Sequence, residues 1–126
     1  MQLCPCCSKQ SYDDCCGVFI RGTALPATPE QLMRSRYTAY TQANIDYIAR
    51  TMRGPAVKDF NYQAAEKWAK AVNWLGLKVI RTDSKPPRGW VEFIAYYADH
   101  YANHDLHEVS EFYLDNGQWF YISKRN

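Results

Sequence analysis

Two hydrophobic periods divide the chain. From Thr28 to Val72 apolar residues recur at three- and four-residue intervals, and from Trp74 to Ser123 they alternate with polar ones. Helices therefore come first and strands follow. Thr28-Pro29-Glu30-Gln31 is a helix start, with Thr28 as N-cap, Pro29 at the first helical position and Gln31 at capping-box spacing. That helix runs on through Leu32, Met33, Arg36 and Tyr40. A short second helix is predicted over Ile45 to Met52, capped by Asn44 and ended by Gly54-Pro55. A third covers Tyr62 to Val72, with Ala64, Ala65, Trp68, Ala69 and Val72 on one side. Residues 18–27, with Gly22 and Pro26, read as a linker.

The strand half begins at Trp74 to Thr82, with Leu75, Leu77 and Val79 on one face. A turn rich in Pro and Gly (Asp83, Ser84, Pro86, Pro87, Gly89) leads to a long strand from Trp90 to Tyr101, with Val91, Phe93, Ala95 and Tyr97 sharing a face. Asn103-His104-Asp105 reads as a turn, and a third strand follows it, Leu106 to Leu114. Asp115-Asn116-Gly117 is a tight hairpin turn into the fourth, Trp119 to Ser123. Helices followed by an antiparallel meander make an α+β domain.

Composition narrows the function classes. The 126 residues suffice for one domain and a small appendage. A net charge of +2 from scattered basic residues gives no nucleic-acid stripe. No apolar run approaches the roughly 18 residues that span a bilayer, so no membrane partner is expected. The chain opens with no basic segment leading into an apolar one, and a cytoplasmic, reducing location is expected. Neither a glycine-rich phosphate loop nor a Gly-x-Ser-x-Gly elbow occurs.

Reducing conditions change the reading of the cysteines. All five lie within the first sixteen residues. Cys4, Cys6, Cys15 and Cys16 form a Cys-x-Cys pair, a short loop and a Cys-Cys pair. Adjacent cysteines and Cys-x-Cys rings fit disulfide geometry badly. Four thiolates suit a closed tetrahedral site for a structural Zn2+, which leaves no open position for substrate. A loop this short folds only around its ion. Residues 1–26 thus form a zinc knuckle and linker, and residues 27–126 the main domain. As a separate appendage, the knuckle is expected to loosen in Cys15→Ser while the main domain stays folded.

The segment Cys4-Pro5-Cys6-x-Ser8-x-x-x-Tyr12-x-x-Cys15-Cys16-Gly17 resembles the SEC-C motif. Glycines usual in that motif are replaced by Cys7 and Lys9, where they would permit positive φ. Further blocks extend the resemblance: Leu32-Met33-Arg34-Ser35-Arg36-Tyr37-x-Ala39-Tyr40, Trp74-Leu75-Gly76-Leu77, Val91-Glu92-Phe93-x-Ala95 and His107-Glu108-x-Ser110-x-Phe112. Together these are similar to the YchJ-like family of bacterial proteins. The resemblance implies a nuclear-transport-factor-2-like cone, in which N-terminal helices pack on a curved four-stranded antiparallel sheet around a cavity. It carries no reaction with it. Many members have a second SEC-C motif at the C-terminus, and no cysteine follows Cys16 here.

Alternation places Glu108 inward with Leu106, Ser110, Phe112 and Leu114, and helical periodicity places Arg36 inward with Leu32 and Met33. A direct Arg36–Glu108 contact is expected, either as a buried ion pair that docks the helix or as the polar floor of a ligand pocket. Trp74 and Tyr97 are the other expected cavity residues. Glu92 is a weaker candidate, and His107 falls on the opposite face. By resemblance to the knuckle of the translocation ATPase, the leading expectation is a non-enzymatic module docking on a protein or ribosomal partner. The alternative is a small-molecule binder or lyase/isomerase-type enzyme using the cone cavity. The resemblance also allows a homodimer through the open sheet face.

Overall fold

The computed structural model describes residues 2–125. Met1 and Asn126, the outer ends of the two expected units, lie outside the described residues. A 3-10 turn (Tyr12–Asp14) and α1 (Cys16–Ile20) precede α2 (Pro29–Thr41), α3 (Ile45–Arg50), α4 (Pro55–Lys58) and α5 (Tyr62–Ala71). The strands β1 (Asn73–Lys85), β2 (Arg88–Ala98), β3 (Asn103–Asp115) and β4 (Gln118–Arg125) form one antiparallel sheet in the order β1-β2-β3-β4.

Capping chemistry sets the helix starts. The Thr28 hydroxyl accepts from Gln31 N at 3.1 Å, while the Gln31 side chain reaches back to accept from Ala27 N at 2.7 Å. Asn44 and Asn61 cap α3 and α5 in the same way. Two helical pieces escaped the sequence reading. The supposed linker begins with helix, because Val18, Phe19 and Ile20 continue α1. After Gly54, Pro55 starts a further turn of helix, the preference of proline for the first helical position outweighing its role as a stop.

Strand ends also differ from expectation. β1 and β2 extend until a two-residue Pro86-Pro87 connection, β2 stops at Ala98 rather than Tyr101, and β3 already begins at Asn103, where a turn was expected. At the last hairpin Asn116 and Gly117 both have positive φ, 50° and 80°, as a tight turn matching strand twist requires. One inward-face expectation fails. Leu75 is 55% exposed, because the pairing slips between Trp74 and Gly76 and the extra residue reverses the alternation. Trp74, Leu77 and Val79 face the core instead. Further slips near Ile80 and Ile122 add to the bending of the sheet.

The concave sheet face receives α2, which buries Leu32, Met33, Ser35, Arg36, Tyr37, Thr38 and Ala39. Its N-terminus docks where β2 has Gly89, since a Cβ there would lie 2.4 Å from the Pro29 ring. Two apolar clusters result. One joins Leu32, Met33 and Tyr37 to Leu77, Val91, Phe93, Phe112 and Trp119, and it also contains Cys4, Cys6 and Cys16. The other packs Ala39, Ile45, Tyr47, Ile48, Met52 and Ala69. The chain after α3 seals the β4 edge, with Arg53 N donating to Tyr121 O and Tyr121 N to Thr51 O, each at 2.9 Å. Among the described residues no helix is long and apolar enough to cross a membrane.

Candidate metal centre and cone cavity

The sulfur atoms of Cys4, Cys6, Cys15 and Cys16 all lie within 4.8 Å of one another. Cys6 and Cys15 are 3.7 Å apart, Cys15 and Cys16 3.9 Å. A tetrahedral ion with metal–sulfur bonds of about 2.3 Å sets its ligand sulfurs about 3.8 Å apart, so the four fit one metal ion. Local structure makes this arrangement. Leu3 bridges Ser11, and Cys4 N donates to Gln10 O at 2.8 Å, closing the loop that carries the first pair. The second pair stands at the start of α1. Ser8 Oγ lies 3.2 Å from Cys15 Sγ and Thr38 Oγ1 3.7 Å from Cys4 Sγ, hydroxyls placed to support thiolates. Arg34 Nη1 donates to Cys6 O at 2.7 Å, tying the loop to α2.

The thiols share protons unequally. Cys6 is lowered to about 4, chiefly by hydrogen bonding from Cys16, whereas Cys16 is raised chiefly by that same bond and Cys15 by burial. Several thiols crowded around one thiolate is an arrangement that a cation relieves by displacing protons. Cys7 stands outside the four. It is exposed, and its sulfur lies 3.7 Å from Pro5 O.

Both departures from the motif's glycines fall at left-handed backbone, Cys7 at φ 67° and Lys9 at φ 71°. The loop keeps the glycine conformation without the glycines, at about 1–2 kcal/mol per residue. Lys9→Gly is therefore expected to stabilise the protein by about 1 kcal/mol, read as a higher denaturant midpoint at unchanged slope. An unmoved midpoint would mean that the lysine is unstrained.

The second feature is a cavity of about 160 Å³ between α2, α5 and the sheet. Its walls are largely apolar and aromatic, including Met33, Trp68, Trp74, Phe93, Leu106 and Phe112. Arg36, Glu108, Ser110, Tyr40 and Tyr121 bring polar atoms to it. Register explains Glu108, which pairs with inward-facing Phe93, as Ser110 does with Val91. Trp68 and Trp74 meet edge to face at 4.9 Å, and Trp74 Nε1 donates to Ala69 O at 3.1 Å. Tyr97 packs behind them, 5.4 Å from Trp68 and stacked on His104 at 5.0 Å, and is not among the lining residues.

The direct Arg36–Glu108 contact is not made. Arg36 Nη1 donates to Ile48 O at 2.9 Å and to Thr51 Oγ1 at 2.7 Å, and its guanidinium lies 4.6 Å from the centre of the Tyr121 ring. At the end of α3 the Ile48 carbonyl receives only a long 3.4 Å backbone bond from Thr51 N, and its second lone pair is open to the guanidinium. Glu108 Oε2 accepts instead from Ser110 Oγ at 2.7 Å. Neither a docking ion pair nor a preassembled acid/base couple is present, yet the charges feel each other. Burial lowers the Arg36 pKa, and the neighbouring tyrosines and Glu108 partly oppose this. Burial also raises Tyr40, and raises Tyr121 to about 12, so both phenols stay protonated. Glu92 faces the other side of the sheet, where its carboxylate is 2.7 Å from His107 and 3.7 Å from Arg81.

The profile described as "YchJ, middle NTF2-like domain" matches residues 28–124. The chain belongs to the YchJ family. A UPF0225 protein of Geobacter sulfurreducens is 38% identical over 122 residues, covering 94% of this chain and 76% of the relative. The solution structure of a SEC-C motif containing protein from Rhodopseudomonas palustris superposes with a TM-score of 0.89 at 36% identity, covering 97% of this chain and 96% of that one. A second SEC-C motif containing protein, from Psychrobacter arcticus, gives 0.81 at 28% identity over 98% and 81% of the two chains. The α+β cone and the N-terminal cysteine cluster expected of a YchJ-family chain are both present. Sequence reasoning missed Tyr40, Trp68 and Tyr121 as cavity residues. Tyr40 follows Arg36 by four positions on the helix, a spacing that puts both on one face.

Proposed function

We propose that this protein is a zinc-stabilised cone whose cavity binds a small organic molecule. Zinc is the ion that four thiolates in a closed tetrahedron suit best, and thiolate ligands require a reducing compartment such as the cytoplasm. The observation carrying the ligand reading is the pair of separated charges on one apolar cavity. Arg36 Nε and Nη2 and Glu108 Oε1 find no partner among the described residues. The one fully buried side-chain polar atom without a partner among the described residues is Trp90 Nε1, so these cavity atoms face water and are free to exchange it for a ligand's polar groups. Ligand-detected NMR with a library of single-ring compounds tests this. Ala95 lines the cavity, and Ala95→Leu should abolish binding while the thermal midpoint shows the fold intact. Binding untouched by Ala95→Leu would refute the cavity as the site.

Docking of the knuckle on a protein or ribosomal partner is the second reading, supported by Leu3, which stands 62% exposed on the knuckle. Co-sedimentation with ribosomes that disappears in Leu3→Asp would favour it. Sedimentation equilibrium of the purified protein alone tests for a homodimer through the open sheet face.

A further inference from the structure

The cavity's polar atoms are specific about what could fill it, and the following inference rests on the ligand reading above. The room is small. A cavity of about 150 Å³ is known to take up benzene, and this one measures about 160 Å³. Its aromatic walls, with Trp68, Trp74 and Phe93, offer faces to a flat ring.

The polar side is mixed in character. Arg36 supplies unused N–H donors, and the Tyr40 and Tyr121 hydroxyls have no partner among the described residues. Glu108 supplies an unused carboxylate oxygen, since only Oε2 is engaged by Ser110. A ligand anion would meet Arg36 favourably but would bring a like charge to Glu108. A ligand cation would meet the reverse problem. A neutral group that accepts at one atom and donates at the next answers both sides and leaves the two protein charges balanced.

We infer that the cavity selects a neutral, single-ring, planar molecule bearing a carbonyl oxygen beside an N–H, as in a primary aromatic amide or a lactam ring. The carbonyl oxygen accepts from Arg36 and a tyrosine hydroxyl, and the N–H donates to Glu108 Oε1. Separation of Arg36 from Glu108 follows from this use, because a closed ion pair would leave neither free to bond a ligand.

Four probes of nearly equal size test it on the unmodified protein by calorimetry or by quenching of tryptophan fluorescence: benzamide, benzoate, benzamidinium and toluene. Benzamide should bind at least about tenfold more tightly than toluene, the effect of one or two added hydrogen bonds, and more tightly than either ion. In Glu108→Gln the preference for benzamide over benzoate should shrink about tenfold, as removal of one like charge predicts. Tightest binding of benzoate or benzamidinium would overturn the inference. Equal binding of toluene and benzamide would overturn it too, while leaving the cavity as a ligand site. If none of the four binds, the cavity reading fails with it. The ranking on the unmodified protein decides even if Glu108→Gln does not fold.

Discussion

Removing the metal with a chelator, or replacing Cys6 with serine, is expected to unfold the whole chain in one transition. Cys6 is fully buried and sits with Cys4 and Cys16 in the cluster that holds Leu32, Met33, Val91 and Phe112. Structural zinc contributes on the order of 10–16 kcal/mol of binding free energy at neutral pH, and a domain's entire stability is about 5–15 kcal/mol. Loss of one ligand also leaves thiolates crowded in an apolar setting. The check is a thermal melt followed both by helical circular dichroism and by tryptophan fluorescence, with and without chelator. Two separate transitions, the cone melting at its original temperature, would refute the idea. The same pair of probes applied to Cys15→Ser decides whether the knuckle behaves as the separable unit its sequence suggests, for Cys15 is the half-buried member of the four.

Arg36→Met should cost about 3 kcal/mol, within the range for charged hydrogen bonds lost from a buried site. Methionine keeps much of the apolar contact with Tyr121 but donates nothing to Ile48 O or Thr51 Oγ1. Those two bonds fasten α2 to the end of α3, so hydrogen exchange should accelerate most around residues 45–52. Arg36→Lys should recover only part of the loss, since an ammonium lacks the planar fork. Urea denaturation measures both variants. A Met variant within about 1 kcal/mol of the parent would show that Arg36 is held by its surroundings rather than holding them.

Most of the architecture was legible from periodicity and caps. Thr28 and Asn44 mark helix starts in both sequence and structure, and Asn116-Gly117 marks the last turn. Inward placement of Glu108 followed from strict alternation, because β3 pairs with β2 without a slip. Leu75 was misplaced for the opposite reason. A bulge is a property of two strands meeting, and one strand's sequence does not display it. Arg36 illustrates a further limit. Its burial was legible in helix spacing, whereas its choice of a backbone carbonyl over a carboxylate depended on where α3 ends. The four sulfurs were the most legible feature, since short-range spacing alone nearly determines their geometry.

The shared cluster has a consequence for biosynthesis. All four clustered cysteines precede α2 in chain order, while Trp119, which closes the same cluster and donates to Ala27 O across 92 residues, comes near the far end. A ribosome adding roughly 5–20 residues per second leaves the four thiols without their cover for several seconds. In that interval they meet either a metal ion or an oxidant. The yield of folded protein should thus track the supply of metal while the chain is being made, and metal added after release should rescue less of it.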